Sequence, residues 1–216
     1  MSESAVTKLI GIVPGVLWVV FATVVFCVLR PAIVTQLHRM QSLRTPFGEA
    51  DFAANMTLIG EAAAQSQAQT GESVTIRARR AAVSRLDHAA DIVRGGRILW
   101  VDDHPEWNRA MVQLCERVGM TVDTARSTDE ALGILSPRGY DLVITDMRRG
   151  DDGQAGESLA DEMERRALNI SIIVYAGRFD PRAGVHPAFF AYTTGVDGLV
   201  HYIVDVMERV RFSEAV

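Results

Sequence analysis

The chain has 216 residues, enough for one domain of ordinary size plus additional segments. Its formal net charge is −5 and its Arg, Asp and Glu residues are interspersed without a basic stripe, which argues against nucleic acid as a direct partner. The only cysteines, Cys27 and Cys115, supply neither a disulfide framework nor a CxxC metal pattern and suit a reducing compartment.

Residues 1–8 form a short tail. From Leu9 to Leu29 no residue is charged, and at about 1.5 Å per residue the run matches the roughly 30 Å of bilayer hydrocarbon. One transmembrane helix is therefore expected over residues 9–30. A cleaved signal peptide would have a shorter apolar region and a small-x-small site, whereas here Arg30-Pro31 follows directly. Phe26 stands before Cys27 where a lipoprotein would need a small residue. On one side of the run Glu3 and Lys8 nearly cancel, and on the other Arg30, Arg39 and Arg44 accumulate. The positive-inside rule then predicts a single-pass protein of the cytoplasmic membrane, N-terminus outside and the bulk of the chain in the cytoplasm.

Residues 31–94 read as a juxtamembrane stretch, broken at Pro31, Pro46 and Gly48, followed by a mostly helical linker interrupted at Thr70-Gly71-Glu72. In its second helix Ile76, Val83 and Ala90 recur every seven residues, with Leu86 and Val93 between them, while Arg79 occupies the remaining seam position. Two readings follow: a stalk that makes a homodimer, or a helix packed on its own domain. Gly95-Gly96 ends the helix and sets the domain boundary, giving a last domain over 95–216.

In that domain short apolar runs alternate with helix-length amphipathic segments. Strands are expected at 97–101, 121–125, 142–146, 171–175 and 190–193, with helices near 106–118, 128–135, 156–167, 180–188 and 197–211. The alternation predicts an α/β fold, a doubly wound five-stranded parallel sheet with helices on both faces. Such sheets bind ligands at the carboxyl ends of their strands. Asp102 and Asp103 follow the first strand and Asp146 ends the third. Three carboxylates brought that close repel one another unless a hard cation such as Mg²⁺ lies among them, a setting for a metal-dependent phosphoryl acceptor. His104, before Pro105, reads as a helix entry, and Trp107, Met111, Leu114, Cys115 and Val118 as a packed helix face.

The stretch from ILWVDDHPEWN through TDEALGIL to YDLVITDM resembles the receiver domain of bacterial response regulators, over about residues 97–211. The resemblance implies a flavodoxin-like sheet of order 2-1-3-4-5. It implies Mg²⁺ bound by Asp102, Asp103 and Asp146, with Asp146 as phosphoacceptor from a histidine kinase. Two positions depart from the family. Tyr175 stands where strand four normally ends in Ser or Thr, and Thr194 where a Lys-Pro pair follows strand five. No lysine occurs after Lys8. Arg148 and Arg149, directly after Asp146, are candidates for the missing pocket charge.

The sequence thus predicts a membrane-anchored signalling protein, not an enzyme, in a phosphorelay with a histidine kinase or another signalling protein. No DNA-binding or catalytic output segment is recognisable, so the expected output is a protein contact or a change in self-association. The alternative is a degenerate receiver that serves as a phosphorylation-independent interaction module at the membrane. A haloacid-dehalogenase-type phosphatase ranks below both, because it wants a second acid two residues after its nucleophile and a later lysine.

Overall fold

The computed structural model describes residues 48–136, 139–177 and 186–214. The expected membrane helix over 9–30 and most of the helix expected near 180–188 lie outside the described residues. Among the described residues no helix is long and apolar enough to cross a membrane.

Three helices open the described chain: α1 (Glu49–Thr70), α2 (Ile76–His88) and the single turn α3 (Ala90–Val93). The break between α1 and α2 falls where the sequence places it. Gly71 takes a left-handed φ of 76° and its N–H bonds back to Gln67 O, closing α1. Thr75 then opens α2 by accepting a hydrogen bond from Ala78 N–H on its side chain.

The sheet strands are β1 (Arg97–Val101), β2 (Thr121–Ala125), β3 (Leu142–Thr145), β4 (Ser171–Tyr175) and β5 (Phe189–Thr193). All neighbours pair in parallel, in the order β2-β1-β3-β4-β5. Around the strands lie α4 (Arg109–Arg117), α5 (Thr128–Ile134), α6 (Ala155–Arg165) and α7 (Val196–Glu214), with a 3-10 turn over Pro105–Asn108. This is the expected flavodoxin-like arrangement. The central strands are covered on both faces, so β3 reads as the apolar run Leu142, Val143 and Ile144 closed by Thr145, with every residue buried.

The alternating strand residues feed two cores. Leu99, Val101, Val143 and Val174 pack toward α5 and α6, whereas Ile98, Trp100, Leu142, Ile144 and Ile173 pack toward α4 and α7. The second core does not stop at that helical layer. It continues into α1 and α2 through Ile59, Ala62, Val83 and Leu86, all at most 5% exposed. Helix α1 lies against α4, and α2 against α7.

The heptad seam is accordingly spent within the chain: Val83, Leu86, Ala90 and Val93 are buried in this core. Ile76, at its start, is 69% exposed. Polar links reinforce the docking: Arg117 donates to Asp51 (2.9 Å) and to Asn55 (3.3 Å) on α1, and Arg85 of α2 pairs with Asp205 of α7.

Because the helical pair shares the core of the sheet, it should unfold with it. Leu86→Ala removes a side chain that is 2% exposed, and a loss of about 3 kcal/mol is expected from burial and the cavity left behind. Urea denaturation of the full chain checks this. A single transition displaced to lower urea is the expected result; a loss below about 1 kcal/mol would mean that α2 is only loosely attached.

Candidate functional site

The site begins with strand register. Val101 of β1 pairs with Thr145 of β3, so the next residues, Asp102 and Asp146, emerge side by side at the carboxyl edge of the sheet. Asp146 N–H continues the ladder to Val101 O (3.1 Å), and Asp102 N–H does so to Ala125 O (2.9 Å). The chain also needs Gly156 here. A Cβ at that position would meet Asp146 O at 3.1 Å and Met147 Cα at 3.2 Å, so a side chain would force the start of α6 away from the end of β3.

Asp102 is 8% exposed. Its Oδ1 accepts from His104 N–H (2.7 Å) and its Oδ2 from the buried Asn108 carboxamide (2.7 Å). Burial outweighs those bonds and raises its carboxyl above the ordinary value, with a further push from Asp103. For Asp146, burial first and the charge of Asp102 second raise the carboxyl to about 6, against the bond its Oδ1 accepts from Met147 N–H (2.7 Å). Asp103 is tied to the following loop, accepting from Gly150 N–H at 2.9 Å.

A cavity of about 350 Å³ opens over these carboxylates. Asp102, Asp146, Tyr175 and Thr194 line it from the strand ends. Trp107 and Asn108 contribute to its lining, as do Ser66, Gln69 and Thr70 from the end of α1. The site thus joins three of the sequence-derived positions, Asp102, Asp146 and Tyr175, with the fourth, Thr194. Asp103 stands next to them, bonded to the loop.

The two arginines separate. Arg148 is exposed. Arg149 is buried beneath the loop, where its guanidinium donates to Thr145 Oγ1 (2.6 Å), Thr128 Oγ1 (2.8 Å), Ala155 O (2.6 Å) and Asp146 O (3.1 Å). Burial lowers the pKa of Arg149, and Asp146 leads the nearby charges that oppose this. Neither arginine lines the cavity. Arg149 ties the end of β3 to the starts of α5 and α6, and its loop is closed by a bridge between Arg149 and Asp152. What sequence reading offered as a loop charge is a buried structural cation.

Trp107 also departs from expectation. Met111, Leu114, Cys115 and Val118 are buried as their spacing predicts, but Trp107 is 45% exposed and stacks on His104 at 4.1 Å between ring centroids. The 3-10 turn that Pro105 begins rotates it off the buried face of α4 and onto the rim of the cavity. Sequence reading also missed Asn108 and the α1 residues. Asn108 lies six residues after Asp102 in what reads as a helix, and the α1 residues that line the cavity precede Asp102 by 32 to 36 residues, so no local spacing marks either.

Among the described residues no three Asp, Glu, His or Cys side chains form a ready-made metal ligand set. The donors nevertheless suit Mg²⁺, which takes hard oxygen ligands and commonly holds to a protein through one or two carboxylates, keeping water in its other positions. Asp102 and Asp146 offer two such donors, each held by burial above its ordinary pKa.

The profile of the response regulator receiver domain family matches residues 98–197. Similar solved structures include the response regulator protein TrrA of Thermotoga maritima in complex with Mg²⁺-BeF, at 27% identity over 51% of this chain and 98% of that one, TM-score 0.45. A response regulator receiver domain protein from Clostridium thermocellum is 24% identical over 54% of this chain and 98% of that chain, TM-score 0.47. The receiver domain of an HD domain-containing protein from Pseudomonas fluorescens is 22% identical over 56% and 93%, TM-score 0.49. No curated protein matches the chain.

Two outcomes follow from the site's electrostatics. The Asp146 carboxyl binds its proton more tightly in the fold, at about 6, than its ordinary 3.8. Its contribution therefore favours the fold fully below pH 3.8 and is lost as pH rises through 6. Asp146→Asn should stabilise the metal-free protein at pH 7 by about 2 kcal/mol, after allowance for partial solvation, with the gain vanishing below about pH 4. Urea titrations at the two pH values test this, and an equal gain at both would contradict it. Arg149→Ala leaves Thr145, Thr128 and the Ala155 carbonyl without their donor and should cost about 3 kcal/mol in the same assay.

Proposed function

We propose, from the premise that residues 98–197 form a response regulator receiver domain, that the cavity binds Mg²⁺ and that Asp146 accepts a phosphoryl group in a phosphorelay. The observation that carries this reading is the in-register placement of Asp102 and Asp146, two desolvated carboxylates whose charges oppose each other. Mg²⁺ held by Asp102 and Asp146, with Asp103 beside them, would neutralise that charge and the charge of an incoming phosphoryl group.

The protein's own residues then have distinct tasks. Asp102 is oriented by His104 N–H and Asn108. The Asp146 carboxylate is aimed by Met147 N–H on one oxygen, leaving the other as nucleophile. That oxygen attacks the phosphorus of the donor, a new P–O bond forms, and the bond between phosphorus and the departing histidine nitrogen or acyl oxygen breaks, its electron pair leaving with the donor. Ionised Asp146 is the reactive form, so a carboxyl near 6 slows transfer in mildly acidic solution unless the metal lowers it.

The reading assigns the chain no turnover of its own. Its partners would be a histidine kinase or another signalling protein. Membrane attachment through residues 9–30, with the receiver in the cytoplasm, is part of the same proposal and rests on the uncharged run and its arginine-rich flank. A second reading, a phosphorylation-independent interaction module, is favoured by one observation: the Thr194 hydroxyl, at the position of the family's lysine, is spent on Glu72 Oε2 at 3.0 Å.

Intact mass of the full chain after incubation with Mg²⁺ and acetyl phosphate separates the two. Gain of one phosphoryl group, absent in Asp146→Asn, is the expected result. A folded chain that gains none would establish the interaction module in its place.

A further inference from the structure

The resemblance to receivers puts the ligands of a phosphoryl group at the ends of β4 and β5, yet both of those positions are engaged by the chain itself. Tyr175 meets Trp100 edge-on at 6.1 Å between centroids, and the Ser66 side chain beside its phenol opposes the rise in its pKa that burial causes. The Thr194 hydroxyl is bonded to Glu72, and the Thr194 carbonyl accepts from Ser66 Oγ at 3.0 Å. These contacts hold the end of α1 against the carboxyl edge of the sheet. Ser66, only 6% exposed, is the pin.

The next polar groups along α1 complete the wall that Ser66 begins. Gln69 and Thr70 both line the cavity that contains Asp146. Thr70 Oγ1 accepts a hydrogen bond from Glu72 N–H (3.0 Å), which leaves its own proton to donate. Its methyl lies 3.9 Å from where a side chain on Gly177, two residues past the end of β4, would begin. Gln69 is exposed at the cavity rim, and among the described residues its carboxamide makes no hydrogen bond within the chain, which leaves it available to a ligand. Two residues with neutral donor groups therefore line the cavity that holds Asp146, from a helix outside the receiver sheet.

We propose that the end of α1 is part of the anion-binding site: Gln69 and Thr70 donate to the non-bridging oxygens of a phosphoryl group carried by Asp146, and Ser66 is the positioning residue that holds them there. The inference rests on the phosphoacceptor reading above. It gives the chain donors in place of the strand-end hydroxyl and lysine, and it makes the helical pair the first element to sense an occupied site. Neutral donors suit a site in which Mg²⁺ supplies the positive charge, since hydrogen bonds to a charged acceptor are stronger than those between neutral groups.

The test uses the full chain and two probes, Mg²⁺ alone and beryllofluoride with Mg²⁺, the latter a stable analogue of the phosphoryl group. Binding is followed by tryptophan fluorescence, to which Trp107 at the cavity rim contributes. Asp146→Asn should abolish beryllofluoride binding. Gln69→Ala and Thr70→Val should each weaken it about tenfold, the loss of one hydrogen bond to an anion, with Mg²⁺ affinity unchanged. Thr70→Ser, which keeps the hydroxyl, should restore it.

Unaltered beryllofluoride affinity in both variants, with binding still abolished by Asp146→Asn, would overturn the role of α1 and leave the phosphoacceptor standing. Equal losses of Mg²⁺ and beryllofluoride affinity would also overturn it, by showing a disturbed fold in place of lost anion contacts. Failure of the wild-type chain to bind beryllofluoride while Mg²⁺ still binds would overturn both readings.

Discussion

The pairing of β1 with β3 is the constraint on which the site depends. A parallel ladder fixes which residues leave the sheet together, and Val101 opposite Thr145 brings Asp102 and Asp146 out as neighbours. One residue of slip would turn one of the two toward the opposite face. The fold prevents this by burying Leu142 and Ile144 in one core and Val143 in the other, while Thr145 is held by Arg149. Apolar burial thereby holds two like charges together that would separate if free, and the cost appears as carboxyl groups raised above their ordinary pKa. A cavity lined by such groups is disposed to take up a cation.

Arg149 shows how the same edge is kept rigid. A guanidinium with five N–H donors suits a buried junction at which several backbone and hydroxyl oxygens converge. Here it links β3 to the first turns of α5 and α6. The loop after Asp146 is held at Gly150 by Asp103 and at Arg149 by Asp152, so the polar stretch is fastened to the acidic pair at its beginning. Positive charge is present near the carboxylates, but its hydrogen-bond donors face the scaffold.

The helical pair α1 and α2 changes what the domain is. It adds a fourth layer, over α4 and α7, extends one of the two cores, and brings Ser66, Gln69 and Thr70 to the strand ends. A face that would otherwise be available to partners is covered by the chain itself. The unit that folds therefore begins well before the residues that resemble a receiver, and a fragment cut at residue 95 would expose the apolar surface that Ile59, Val83 and Leu86 now cover.

The sequence by itself determined the alternation of strands and helices, the parallel sheet and the emergence of Asp102 and Asp146 at one edge, because these follow from local periodicity and from the rule that strands of such sheets end at the ligand edge. It also located the turn at Gly71 and the helix entry at Pro105, where backbone chemistry leaves little choice. Tertiary structure alone decided the rest. The heptad pattern of α2 was equally compatible with a partner helix and with its own domain, since apolar periodicity states that a face is buried and not against what. Arg149 turned inward because the oxygens that receive it come from three separate elements. Trp107 turned outward because a 3-10 turn breaks the helical spacing that had grouped it with Met111 and Leu114. The polar wall from α1 comes from residues far along the chain, joined to Asp146 only when the helical pair docks on α4 and α7.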